Sequence, residues 1–263
     1  MKTTFGSQLR LWRHSQGLSQ LELATRADVS QRHISFMESG RSRPSPEMVV
    51  HLADILEVPP REQNLLLTAA GHAPAYTETP FADLEAIGEV LEFMLAAHEP
   101  NLAIVVDRRW DVVRANGVAR RFMSEVVPEL ADWASPMNVM RLNFHPEGLR
   151  LHTVDWEISA GALLRRLERD AARQPHDVGL HDLLVEIRGY PGVDALSRPA
   201  LSEIGDLLVP VTYRIAGNEI SLFTTISVIG DAHDLTLAEL RLETFWPIDE
   251  ESRRHWQPLV DRL

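Results

Sequence analysis

The chain has 263 residues, 44% of them hydrophobic and 24% charged, with no cysteine and a formal net charge of −12. That is length for about two domains and composition for packed cores, and it excludes disulfides, thiolate zinc sites and a cysteine nucleophile. No apolar run reaches the roughly 18 residues of a membrane span, the start MKTTFGSQLRLWRH has no export-signal core, and the negative charge excludes indiscriminate coating of nucleic acid, so a cytoplasmic protein away from membranes is expected.

The charge is unevenly placed. Residues 1–46 carry seven Lys/Arg against three acids, whereas residues 76–263 carry 18 basic and 31 acidic side chains. A small basic head on a large acidic body means that only the head is suited to meet phosphate.

Leu9, Leu11 and Trp12 lie near helical spacing in a first segment that stops at Gly17. Ser19-Gln-Leu-Glu22 has the form of a capping box opening a short second helix, with Leu21, Leu23 and Ala24 on its apolar side. Asp28 falls where the chain must turn sharply, and Asp tolerates a left-handed backbone. Ser30 is a good N-cap for a third helix running to about Ser39, which Gly40 can end, with Ile34 and Met37 spaced to face inward. Ser45-Pro46-Glu47 opens a fourth helix striped by Met48, Leu52, Ile55 and Leu56. A fifth, about Arg61 to Ala70, ends at Gly71. Two short helices joined by a tight turn among three supporting helices make an all-α, five-helix helix-turn-helix domain over residues 1–71.

The run LSQLELATRADVSQRHISFMESGRSRPSPEMV resembles the XRE (Cro/repressor-like) family over roughly residues 5–71, on the spacing of its SQxxLA, VSxxxIS and ExGRxxPS pieces. It departs from the family at Asp28, usually glycine, and at Phe36, often a polar base reader. The resemblance implies that the helix beginning at Ser30 enters the major groove, with Gln31 and Arg32 on base edges. Phe36 is expected either on a thymine methyl or packed against the fourth helix or a partner subunit. Gln20, Ser30, Ser39, Arg41 and Arg43 are assigned to phosphates, the plain alternative for the two arginines being solvated surface. His33 and Ser35 are expected on backbone or base. Such domains read duplexes as dimers, so a homodimer on a two-fold operator in double-stranded DNA follows.

HAPAYTETP, residues 72–80, reads as a linker, and residues 81–263 as the second domain. Phe81 to His98 is apolar at helical spacing. Ala103 to Val106 and Trp110 to Ala115 flank Asp107-Arg108-Arg109 as strand–turn–strand, and Asn116 is placed to cap the following helix. Residues 117–190 read as helical throughout, with RGYPG as a turn. Strand character returns in LLVPVTYRI and EISLFTTISVIG, joined by Gly217-Asn218, and in LRLETFW, where Thr236-Leu-Ala-Glu239 also fits a helix cap; the tail reads as helical.

Two strands, then helices, then three antiparallel strands is the order of an α+β, PAS-like domain with an antiparallel sheet. HEPNLAIVVDRRWDVVRAN, SPMNVMRLNFHPEGL, RGYPG and LTLAELRLETFWP, in that order, resemble the MmyB-like ligand-binding domain that follows an XRE head. This implies a pocket for a small apolar effector, with a fatty acid or acyl compound as the leading class and no other cofactor. An apolar cavity needs a few polar groups to orient its ligand. Arg141, set among Met137, Val139, Met140, Leu142 and Phe144, suits a carboxylate; the alternative is that it snorkels or pairs with an acid. Asn138 and His145 are further ligand candidates with structural alternatives, and Met137 and Trp156 are either cavity lining or core.

His145, His152, His176 and His181 show no ligand spacing, so no metal site is assigned, and no P-loop, GxSxG or GxGxxG nominates an enzyme. The expectation is a repressor whose DNA affinity changes with ligand, transmitted through Pro74 to Pro80 and the helix after it. A rival reading makes the second domain a dimerisation or protein-interaction module with no ligand.

Overall fold

The computed structural model describes residues 4–83, 85–127, 136–196, 210–229 and 234–262, and the chain divides into two units, residues 1–78 with 233–235, and residues 79–232 with 236–263. Local chemistry sets the helices of the first. α1 (Phe5–Ser15) starts where the Thr4 hydroxyl accepts from the Ser7 amide. α2 (Gln20–Arg26) opens on a complete Ser19/Glu22 capping box. α3 (Gln31–Glu38) is capped by Ser30, whose hydroxyl accepts from the His33 amide. α4 (Pro46–Ile55) pairs the Ser45 cap with proline in its first turn. α5 (Pro60–Ala69) has no side-chain cap, only proline where an amide would be orphaned.

Between α2 and α3, Asp28 takes the left-handed backbone its place demanded, at φ 51°. Leu9, Trp12, Leu23, Ile34, Met37, Leu52, Leu56, Leu66 and Leu67 meet in one core, each large side chain contributing about 1.5–3 kcal/mol of burial. α1 crosses the end of α3 so closely that a Cβ on Gly6 would strike the Met37 and Glu38 carbonyls. Only glycine fits there.

The second unit is built on a six-stranded antiparallel sheet in the order β2-β1-β6-β5-β4-β3. Its strands are β1 (Ala103–Val106), β2 (Val112–Ala115), β3 (Thr153–Val154), β4 (Val211–Ile215), β5 (Asn218–Val228) and β6 (Arg241–Pro247). β1 pairs Ile104 with Glu243 of β6, and β5 sets Ile226 opposite the same glutamate. One face of the sheet takes α6 (Glu85–Ala96), whose Leu91 and Leu95 pack on Ala103, Val105 and Leu242. The opposite face is covered by α7 (Gly117–Val126), α8 (Val139–Phe144), α9 (Trp156–Arg173), α10 (Val178–Arg188) and α12 (Glu250–Arg262), in two apolar clusters that both touch Ile104.

The structure differs from the sequence reading in places. The segment 117–190 is not helical throughout: the short β3 edge pairs Thr153 with Tyr213 and Val154 with Thr212, and two residues are too few to show alternation. Trp110 does not begin a strand. It sits at φ 68° in the turn, fully buried, and β2 starts two residues on. The helix after the linker begins as a 3-10 turn, Phe81–Asp83, before α6. Helix and strand both occur near Thr236, as α11 (Leu235–Ala238) and then β6. Leu207 to Val209, the start of one expected strand, lie outside the described residues.

Candidate functional site

Helical geometry puts Gln31, Arg32, Ser35, Phe36 and Ser39 on one side of α3 and Ile34 and Met37 on the other. Ile34 and Met37 are fully buried, while Gln31, Arg32 and Ser39 are exposed and His33, Ser35 and Phe36 half-buried. Phe36 lies between two guanidinium groups, with Arg32 5.0 Å and Arg41 5.9 Å from its ring centre. Each such contact contributes about 0.5–1 kcal/mol where exposed and holds the two cations beside the apolar ring. Ser30 is spent on its cap, and the Ser39 hydroxyl donates to the Phe36 carbonyl at 3.2 Å.

Two expected phosphate contacts have duties within the domain. Gln20 donates through Nε2 to Oε2 of Glu38 at 2.8 Å. Arg43 turns to the end of α5, donating from Nε to the Ala70 carbonyl at 2.7 Å and from Nη2 to the Gly71 carbonyl at 2.6 Å. Positive charge at a helix C-terminus satisfies orphaned carbonyls there.

In the second unit the candidates separate into two groups. Asn138 caps α8, its Oδ1 accepting from the Met140 and Arg141 amides, while Nδ2 donates to the Arg109 carbonyl and Asp111, both at 2.8 Å. Arg141 is paired with Glu186, from Nε at 2.9 Å to Oε1 and from Nη2 at 2.9 Å to Oε2. Tyr190 also donates to Glu186, at 2.8 Å, and the His145 ring meets Tyr190 edge-on. The Arg141 bonds hold the Glu186 carboxyl below its ordinary range, and burial followed by the Glu186 bond pushes the Tyr190 hydroxyl up to about 12. Arg141, Glu186, Tyr190 and His145 thus form one polar cluster, with Arg141 taking the acid-pairing alternative. Met137 and Trp156 are elsewhere, packed into the two separate apolar clusters, with Trp156 Nε1 donating to the Asn143 carbonyl and Arg150 3.7 Å from its ring centre.

A second polar group was not legible in the sequence. Glu243, 4% exposed, faces Arg166, and the guanidinium groups of Arg166 and Arg241 each lie 4.7 Å from the Trp110 ring centre. Burial pushes the Glu243 carboxyl up, against the pull of Arg166 and Arg241. Among the described residues no group of His, Asp or Glu is placed to hold a metal ion, and no helix is long and apolar enough to cross a membrane.

A capped helix-turn-helix with an exposed cationic face on α3, and a second unit of helices packed on an antiparallel sheet, have the form of a transcription regulator's DNA-binding head and regulatory domain. Residues 4–66 match a family described as "Helix-turn-helix domain", and residues 87–259 match the "MmyB-like transcription regulator ligand binding domain". The chain belongs to the MmyB-like transcription regulators. It is similar to the HTH-type transcriptional repressor RghR of Bacillus subtilis (strain 168), 33% identical over 108 residues that cover 41% of this chain and 77% of that protein. A solved structure, an RNA-binding light-oxygen-voltage receptor, aligns at 13% identity with a TM-score of 0.28, covering 97% of this chain and 63% of that one.

Proposed function

We propose that this regulator is a cytoplasmic homodimeric repressor that binds a two-fold operator through α3 and changes its affinity for DNA when a small apolar ligand, a fatty acid or another acyl compound, enters the second domain. The observation that carries the DNA reading is the outward face of α3. Gln31 and Arg32 are exposed at its first turn, where side chains of a recognition helix reach base edges. Phe36, held between Arg32 and Arg41, presents an apolar surface suited to a thymine methyl. Arg41 and Ser39 sit at the other end of that face, suited to phosphate along with Ser30 and Gln20, while His33 and Ser35 lie between. Arg43 would meet phosphate only while holding the α5 carbonyls. The similarity to a repressor supports the sign of regulation.

The ligand reading rests on the family match, and ligand can act only by preferring one arrangement of the two heads over another. The experiment is selection of duplexes from a random pool by the purified chain, followed by native mass spectrometry of the same preparation. A two-fold motif and a stoichiometric acyl compound are the expected results. Selection of no motif would sink the operator, and a ligand-free dimer that ignores added acyl compounds would sink the effector.

A further inference from the structure

We infer that Glu243 and Arg166 form the anchoring point for the ligand's head group, a planar group that sets a hydrogen-bond donor beside a carbonyl acceptor: a carboxylic acid or a carboxamide. The inference rests on the reading of the second domain as a ligand-binding unit and places the ligand's polar end within it.

The argument starts from the sheet. Alternation along β6 turns Leu242 towards α6 and Glu243 to the face covered by the other helices. There Glu243 stands opposite Ile104, the residue that touches both apolar clusters of that face. A carboxyl at the seam of two apolar cores, 4% exposed, is expensive unless its oxygens are hydrogen-bonded. Among the described residues they are not. The nearest cation is Arg166, on α9, at 3.7 Å, an ion pair too long for a hydrogen bond.

Arg241 attracts the same carboxyl but its hydrogen bond goes to Asp170, at 2.8 Å from Nη1. Arg166 itself makes no hydrogen bond among the described residues; Glu243 and the Trp110 ring lie against it, and Asp170 attracts it from one turn along α9. Trp110, whose ring Arg166 lies against, adds a buried indole N–H without a partner among the described residues. Native interiors rarely leave several such groups unmatched in one place.

Facing donor and acceptor, each unsatisfied, suit a ligand group that offers the complement of both. A carbonyl oxygen would accept from Arg166 while the adjoining O–H or N–H donates to Glu243. The apolar clusters on either side of Ile104 suit an alkyl chain behind that head. The Arg141–Glu186 pair offers no such opening, because both carboxylate oxygens already accept from Arg141.

The test is calorimetric titration of the full chain with decanoic acid, decanamide and methyl decanoate, repeated on the charge-neutral double variant Arg166→Met/Glu243→Met. The amide, and the acid with one proton shared between its carboxyl and that of Glu243, are expected to bind the unaltered chain, and the ester, which has no donor and cannot pair with Arg166 as a carboxylate, roughly ten- to hundredfold more weakly. The double variant should keep its unfolding temperature, since both charges leave together, yet lose the preference for acid and amide. Equal binding of all three probes, or a variant that discriminates like the unaltered chain, would overturn the anchoring role and leave the pair a structural one. Should the double variant fail to fold, Glu243→Leu alone takes its place, since Arg166 is partly exposed and can be solvated, and a preference unchanged in it would overturn the anchoring role. Binding of no probe would overturn this inference together with the acyl-ligand reading.

Discussion

Arg13 grips Glu38 with two hydrogen bonds, Nε to Oε1 at 2.6 Å and Nη2 to Oε2 at 3.1 Å, and joins the last turn of the recognition helix to α1. Gln20 brings α2 to the same carboxylate, and Arg13 Nη1 also donates to the Leu18 carbonyl at 2.7 Å. Both side chains of the pair are buried, so removing one strands the other. Glu38→Ala should destabilise the head by about 3–5 kcal/mol, measured by urea unfolding. A loss under about 1 kcal/mol would mean that Arg13 finds water or another acceptor.

Asp177 organises the second unit through charge. It caps α10 by accepting from the Leu180 amide, and takes one bond each from Arg108 and Arg109. Burial alone would raise its carboxyl, but the two arginines outweigh burial and hold it down at about 2. A depressed carboxylate contributes stability that is complete above its ordinary pKa of 3.8 and is lost as pH falls towards about 2. The expected contribution is about 2 kcal/mol, less because Arg109 is partly exposed. Acid titration of unfolding should therefore be steeper between pH 4 and 2, by about that amount, for the unaltered chain than for Asp177→Asn. Equal slopes would remove Asp177 from the account.

Asp28 holds a left-handed backbone at the turn between α2 and α3. Glycine relieves the steric cost there, about 1–2 kcal/mol for an ordinary residue and less for Asp, but gives back part of it as chain entropy. Asp28→Gly should raise stability by a few tenths of a kcal/mol up to about 1, read as a higher thermal midpoint. A fall would show that the Asp28 side chain holds the turn in another way.

Arg32 and Arg43 should part company when each is changed to alanine. Arg32→Ala is expected to cost about 1–3 kcal/mol on the selected operator and to relax one base position, with little change in stability. Arg43→Ala should lower the unfolding midpoint through the loss of its α5 contacts, about 1 kcal/mol, and leave the salt dependence of DNA binding unchanged. Binding titrations at several salt concentrations check both. A slope reduced by about one for Arg43→Ala would place it on a phosphate after all.

Much of the head was legible because its signals are local. Ser19, Ser30 and Ser45 announce helix starts by chemistry that acts within three residues. The fold of the second unit could be read only as strands and helices in order. That Val105 of β1 pairs with Leu242 of β6, 137 positions further on, is a long-range fact that no spacing carries. Glu243 was missed for the same reason. In LRLETFW, alternation suggests an apolar inner face and a polar outer one, but both faces of β6 are covered, one by α6 and one by the remaining helices. Arg141 drew notice through its apolar neighbours, and Glu186, 45 residues away, was invisible as its partner.

Leu242 and Glu243 are consecutive residues on opposite faces of one strand, so the partition between the side of the sheet that Glu243 faces and α6 is a single backbone thick. Backbone there is clamped by ladders on both sides, from β1 and from β5. A stress applied at Glu243 has no flexible side-chain relay in which to dissipate. It reaches Leu91 and Leu95 through one peptide unit, and α6 is the first helix after the linker. Were a ligand seated at Glu243, its effect on α6 would need no long pathway, only this one strand.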